Sequence, residues 1–135
     1  MTMIQSSPLL RGALALDAAA CAGMGVLLSF AATALSQPLG LPEPLLRGAG
    51  LLLLPCAALL GWLSRRRELP RLAVLSVIGV NLMWIADSLL LLAGGWFAPT
   101  GLGVAFVLAQ AAAVLAVTIA EAVGLGRSVP RGEPA

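Results

Sequence analysis

The chain has 135 residues, 60% of them hydrophobic and only 10% charged, with a formal net charge of +2 and a mean hydropathy of +1.01. A water-soluble domain carries about 25% charged residues, so an ordinary water-facing surface is excluded and lipid is the expected solvent. With no histidine and only two cysteines, Cys21 and Cys56, in no CxxC spacing, the commonest metal ligand, haem ligand and general base are missing, and neither catalysis nor a cofactor is expected.

In chain order, residues 1–8 read as a short polar tail. A first membrane span is predicted over about residues 9–35. Arg11 followed by an apolar run, and three alanines before Cys21, outline a cleavable leader. Asp17 interrupts that run, however, and apolar sequence continues to Leu35, so the segment is expected to be retained. Ala15, Ala19 and Gly23 recur at a spacing that lets helix backbones approach closely. Residues 36–44 carry the prolines and glycine of a turn. The second span is predicted over 43–64, kinked at Pro55. A basic turn follows, with Arg65, Arg66, Arg67 and Arg71.

The third span, 71–94, carries Asn81, Trp84, Asp87 and Ser88 within a length that suffices to cross a bilayer. Polar groups in hydrocarbon are costly and turn toward other helices or a wet cavity. Residues 94–99 form an uncharged aromatic turn. The fourth span, 100–124, carries a stripe of Ala105, Ala109, Ala113, Ala116 and Ala120, again a packing face, and residues 126–135 are a polar tail. The fold expected is all-α: a transmembrane four-helix bundle running up-down-up-down through short connections. Arginines flank both termini (Arg11, Arg127, Arg131) and the middle turn. Read as topology signals rather than a nucleic-acid surface, they place both termini and the middle turn on the cytoplasmic side. Trp62 then marks the cytoplasmic interface, and Trp96 with Phe97 the opposite one.

The polar residues inside the spans are the candidate sites. Arg47 and Asp87 stand at matched distances from the middle turn, so at about 1.5 Å per residue they share a depth on neighbouring antiparallel helices. They are expected to pair, either as a fixed packing contact or as a relay for ions or protons. Asn81, Trp84 and Ser88 share one helical face, and Asn81 is expected to hydrogen-bond Gln110 on the fourth span. Asp17 has three candidate partners: Arg66, Arg71 and Glu121. Facing Glu121, it would form a carboxyl pair able to carry a proton. Cys21 and Cys56 read as free, space-filling thiols.

Several stretches together carry a resemblance: Leu45, Leu46 and Arg47 with Gly50, Leu54 and Pro55; Asn81 with Trp84 and Ser88; and Pro99 and Thr100 with Gly103, Ala105, Phe106, Gln110 and Ala111. Over residues 9–127 the chain resembles a family of small uncharacterised four-span integral membrane proteins of proteobacteria. The resemblance implies the fold and a location in a bacterial inner membrane, and brings no activity, ligand or catalytic residue. The leading functional expectation is a non-catalytic accessory or assembly subunit, surrounded by lipid, that associates through its small-residue faces with a larger membrane complex or with itself. The alternatives are a small oligomeric proton-coupled transporter using Asp17 or the Arg47–Asp87 pair, and a binder of lipid or quinone in a cleft beside Trp84.

Overall fold

A computed structural model describes residues 2–130; Met1 and residues 131–135, among them the topology signal Arg131, lie outside the described residues. The elements run β1 (Met3–Gln5), α1 (Pro8–Phe30), α2 (Ala32–Leu39), α3 (Glu43–Ser64), β2 (Glu68–Pro70), α4 (Arg71–Ala93), α5 (Gly101–Gly126) and β3 (Val129–Pro130). Four of these helices, α1, α3, α4 and α5, are long and apolar enough to cross a membrane.

The first predicted span is two helices rather than one. The backbone leaves the helical region at Ala31 (φ −108°, ψ 13°), and the short α2 then follows until Gly40, at φ 68°, ends it. Only a residue without a Cβ adopts that left-handed conformation without strain. Leu39 and Leu41 are thereby buried against Leu46 of α3 and Val107 of α5, together with Leu28 and Ala32. The predicted 36–44 turn shrinks accordingly, because α2 carries the chain through Pro38. α3 runs from Glu43 to Ser64 through Pro55.

Parts of the two predicted polar tails and the basic turn form a small sheet. β1 is its central strand, antiparallel to both β2 and β3, with Ile4 opposite Leu69 and Pro130. Ile4 and Leu69 turn inward and cap a cluster with Leu10, Leu14, Leu63, Val74 and Leu125. A tail of two or three alternating residues becomes a strand here because it buries one side chain and finds partners for its backbone groups. The sheet ties residues 3–5 and 129–130 to the α3–α4 turn at one end of the molecule. The two other connections meet at the opposite end, where Thr100 donates its N–H to Leu39 O at 3.1 Å and its hydroxyl to Pro38 O at 2.6 Å.

Around the bundle α3 packs along α1, α1 along α5, and α5 along α4. α3 and α4, although consecutive long helices, do not pack along one another in this way. The close approaches are made by glycines: a Cβ on Gly50 would fall 2.6 Å from Ser29 N, and one on Gly124 2.6 Å from Leu10 N. The alanine stripes take no comparable part. Ala15, Ala19 and Gly23, like Ala105, Ala109, Ala113 and Ala116, face outward. So do large apolar side chains such as Leu52, Met83, Leu102 and Ile119, whereas Asp17, Asn81, Ser88, Thr118 and Glu121 are buried.

Candidate functional site

The most buried charged side chains form one cluster drawn from three helices. Asp17 on α1 is 4% exposed and Glu121 on α5 is 0% exposed. Asn81 on α4 lies between them, and its single amide nitrogen donates to Asp17 Oδ2 at 3.0 Å and to Glu121 Oε1 at 2.8 Å. The two carboxyls are therefore no more than about 6 Å apart. Cys21, one turn after Asp17, donates its thiol to Asp17 Oδ1 at 3.5 Å. Among the described residues no arginine hydrogen-bonds either carboxyl, so Arg66 and Arg71, the alternative partners for Asp17, are not what it meets.

This geometry holds two acidic groups close together in one buried site. Two full charges at that separation repel by roughly 3 kcal/mol at an effective dielectric of about 20, on top of the cost of burying each. The donors present are the two amide hydrogens and one thiol, and Glu121 Oε2 is left with none. Loss of one of the two charges, by a proton held on the pair, is the usual resolution for two acids in one dry site.

About two turns away a second polar layer links α4 and α5. Trp84 Nε1 donates to Gln110 Oε1 at 2.7 Å, and Gln110 Nε2 donates to Ser88 Oγ at 2.9 Å and to Val107 O at 2.9 Å. Ser88 returns its hydroxyl to Trp84 O at 2.8 Å. Asn81 and Gln110 thus do not bond each other as expected; each belongs to a different layer, because Asn81 is taken up by the carboxyl pair.

Arg47 and Asp87 do not meet either. Arg47 Nη1 lies 2.6 Å from Glu43 Oε1, one turn earlier on the same helix; its Nη2 donates to Thr33 and its Nε to Ser29 O. Glu43 also accepts from Thr33 at 2.8 Å. The arginine therefore clamps the start of α3 to the α1–α2 junction. Asp87 is exposed across a groove that separates α3 from α4. The expectation fails because it assumes that helices adjacent in sequence pack side by side. Accordingly, the stability losses of Arg47→Leu and Asp87→Leu, measured by thermal unfolding in mild detergent, are expected to add in the double variant. Rescue of one by the other would mean that the two side chains do meet.

Two cavities adjoin these layers. The smaller, about 130 Å³, is lined by Asp17 and Cys21. The larger, about 420 Å³, is the groove between α3 and α4. Met24, Trp84 and Gln110 line both and form the partition. Both cysteines are free thiols, and among the described residues no group of histidine, cysteine and carboxylate side chains is arranged to hold a metal ion.

Of the sequence candidates, the fold brings together Asp17 with Glu121, and Trp84 with Ser88 and Gln110. What sequence reasoning misses is the bridging place of Asn81. For the carboxyl pair itself a signal is present: Glu121 stands as far before Arg127 as Asp17 stands after Arg11, which puts the two at one depth; nothing comparable marks Asn81. Comparison of the chain with protein-family models, with curated proteins and with solved structures finds no match.

Proposed function

We propose that the protein is a small proton-coupled transporter of a bacterial inner membrane, with the Asp17–Asn81–Glu121 cluster as its proton site. The observation that carries this reading is a buried carboxyl pair that shares one amide, is one donor short, and has a cavity beside it. A structural contact needs no such arrangement, since leucines would fill the space at lower cost. Ionisable groups inside a bundle of membrane helices mark ion and proton pathways by default. The sheet end, with Arg65, Arg66, Arg67, Arg71 and Arg127 around it, faces the cytoplasm in this reading. Trp62 belongs to the same end, where its ring lies 4.9 Å below the Arg66 guanidinium.

The test is proton flux in proteoliposomes carrying an internal pH dye, under an imposed pH gradient and with a range of cations and lipophilic solutes supplied. The wild-type protein is expected to dissipate the gradient when its substrate is present, and Asp17→Asn to fall to the rate of empty vesicles. No flux from the wild type under any of these solutes, or equal flux from the variant, would remove the proposal.

A second reading is favoured by a separate observation. The outward-facing stripes of Ala15, Ala19 and Gly23 and of Ala105, Ala109, Ala113 and Ala116 find no helix among the described residues, although that spacing suits close backbone contact. In this reading the protein is a non-catalytic accessory or assembly subunit that docks on a membrane-protein partner or on a second copy of itself. Purification in mild detergent followed by mass spectrometry tests it; a monodisperse monomer that retains no partner would count against it.

A further inference from the structure

The groove between α3 and α4 contains one polar group that nothing in the fold engages. Four polar side chains line it: Trp84, Asp87, Ser88 and Gln110. Three of them satisfy one another through the Trp84–Gln110–Ser88 bonds. The fourth, Asp87, makes no hydrogen bond or ion pair among the described residues. The rest of the wall is apolar, from Leu28, Leu45 and Leu52 on one side to Leu91 and Phe106 on the other, and no lysine or arginine among the described residues lines it. Arg47, the nearest candidate counter-charge by sequence, is turned away to Glu43 and Thr33.

Asp87 also has a definite place along the groove. It stands within two turns of the C-terminal end of α4, at the end of the molecule away from the sheet. The groove therefore presents a carboxylate near one face of the bundle and an apolar slot running inward from it to the Trp84 ring. A cavity of about 420 Å³ is of a size that holds a small organic ligand. Its charge pattern selects among such ligands. An anion would meet Asp87 with no compensating donor. A neutral hydrocarbon would leave the carboxylate facing an apolar body. A cationic head on an apolar chain satisfies both ends, with the charge on Asp87 and the chain along the leucines, and a cation near an aromatic ring is favoured further.

We propose that this groove is a binding site for a cationic amphiphile, an ammonium-type head on an apolar chain, that enters laterally between α3 and α4, with Asp87 as the group that recognises the charge. The site is separate from the carboxyl pair and stands whether or not that pair carries protons. If both hold, the Met24–Trp84–Gln110 partition is the wall shared by the two cavities, and the amphiphile is the substrate class for proton exchange.

The test uses Trp84 as the reporter. In a Trp62→Phe, Trp96→Phe background the emission comes from Trp84 alone, the remaining one of the three tryptophans. The protein is placed in phosphatidylcholine vesicles and titrated with a nitroxide-labelled alkyltrimethylammonium, then with the alkylsulfonate of equal chain length. Saturable quenching by the ammonium is expected at concentrations about tenfold below those needed for the sulfonate, and Asp87→Asn is expected to abolish the difference. Asp87 is exposed and unbonded, so this variant is expected to fold, and unchanged Trp84 emission before titration checks that it has. Equal quenching by the two amphiphiles, or a preference that survives Asp87→Asn, would overturn the site. Proton flux is not read here: absent flux with intact ammonium selectivity removes the transporter proposal alone, and intact flux without selectivity removes this one alone.

Discussion

Replacing Asn81 by leucine is expected to lower stability in detergent by about 3 kcal/mol, a large loss for one interior amide. Two ordinary side-chain hydrogen bonds inside a membrane protein contribute only about 0.6 kcal/mol each. The excess arises because Asp17 and Glu121, 4% and 0% exposed, lose the donor they share and keep their burial. Leucine also has the volume to fill the site, so the loss is not that of a cavity. The triple variant Asp17→Leu, Asn81→Leu, Glu121→Leu is expected to recover most of it, since an apolar trio removes every group that needed a partner. Unfolding of the three proteins in one detergent decides the matter. A loss of only about 1 kcal/mol for Asn81→Leu would mean that the carboxyls are satisfied by something else.

The second large effect is expected at Gly124. A Cβ there would lie 2.6 Å from Leu10 N and 2.7 Å from Leu10 Cα. These are backbone atoms of α1, so no side-chain rotation relieves the clash and the two helices must separate. The carbonyl of Gly124 also accepts from Ser7 at 2.7 Å and from Ser128 at 2.9 Å, which fixes its position from both chain ends. Gly124→Val is therefore expected to cost about 3 kcal/mol, the upper part of the range for overpacking. Because Glu121 lies one turn earlier on the same helix, the shift would also draw its carboxyl away from Asn81. Gly79, where an added Cβ would meet nothing within 4 Å, is the control. Gly79→Ala is expected to be neutral or to stabilise by up to about 1 kcal/mol through helix propensity. Equal losses at the two positions would mean that α1 and α5 do not approach through Gly124.

Much of this architecture is legible in the sequence for one physical reason. Four long apolar runs separated by prolines, glycines and arginines leave little choice but helices in an apolar solvent. Which helix packs on which is not legible. Hydropathy reports depth and says nothing of rotation about the bundle, so Arg47 and Asp87 match in depth although a groove separates their helices. The alanine stripes mislead in a related way. Small residues permit close approach, but the glycines at 50, 103 and 124, where even a Cβ would meet backbone atoms, are the ones that use it. The strand at Met3–Gln5 is hidden because three residues carry too little pattern to register, and its partners lie far along the chain. The carboxyl pair is half legible: Asp17 and Glu121 can be placed at one depth, but the amide that joins them comes from α4, where Gln110 offers itself as an equally good partner for Asn81.

The central claim is that Asp17 and Glu121 share one proton inside the bundle, and infrared spectroscopy of the protein in lipid at neutral pH addresses it most directly. A protonated carboxyl has a carbonyl stretch well separated from that of a carboxylate, and it shifts in heavy water. The wild-type protein is expected to show such a band at neutral pH, and the Asp17→Asn, Glu121→Gln double variant to lack it. A wild-type spectrum with carboxylate bands alone would contradict the claim.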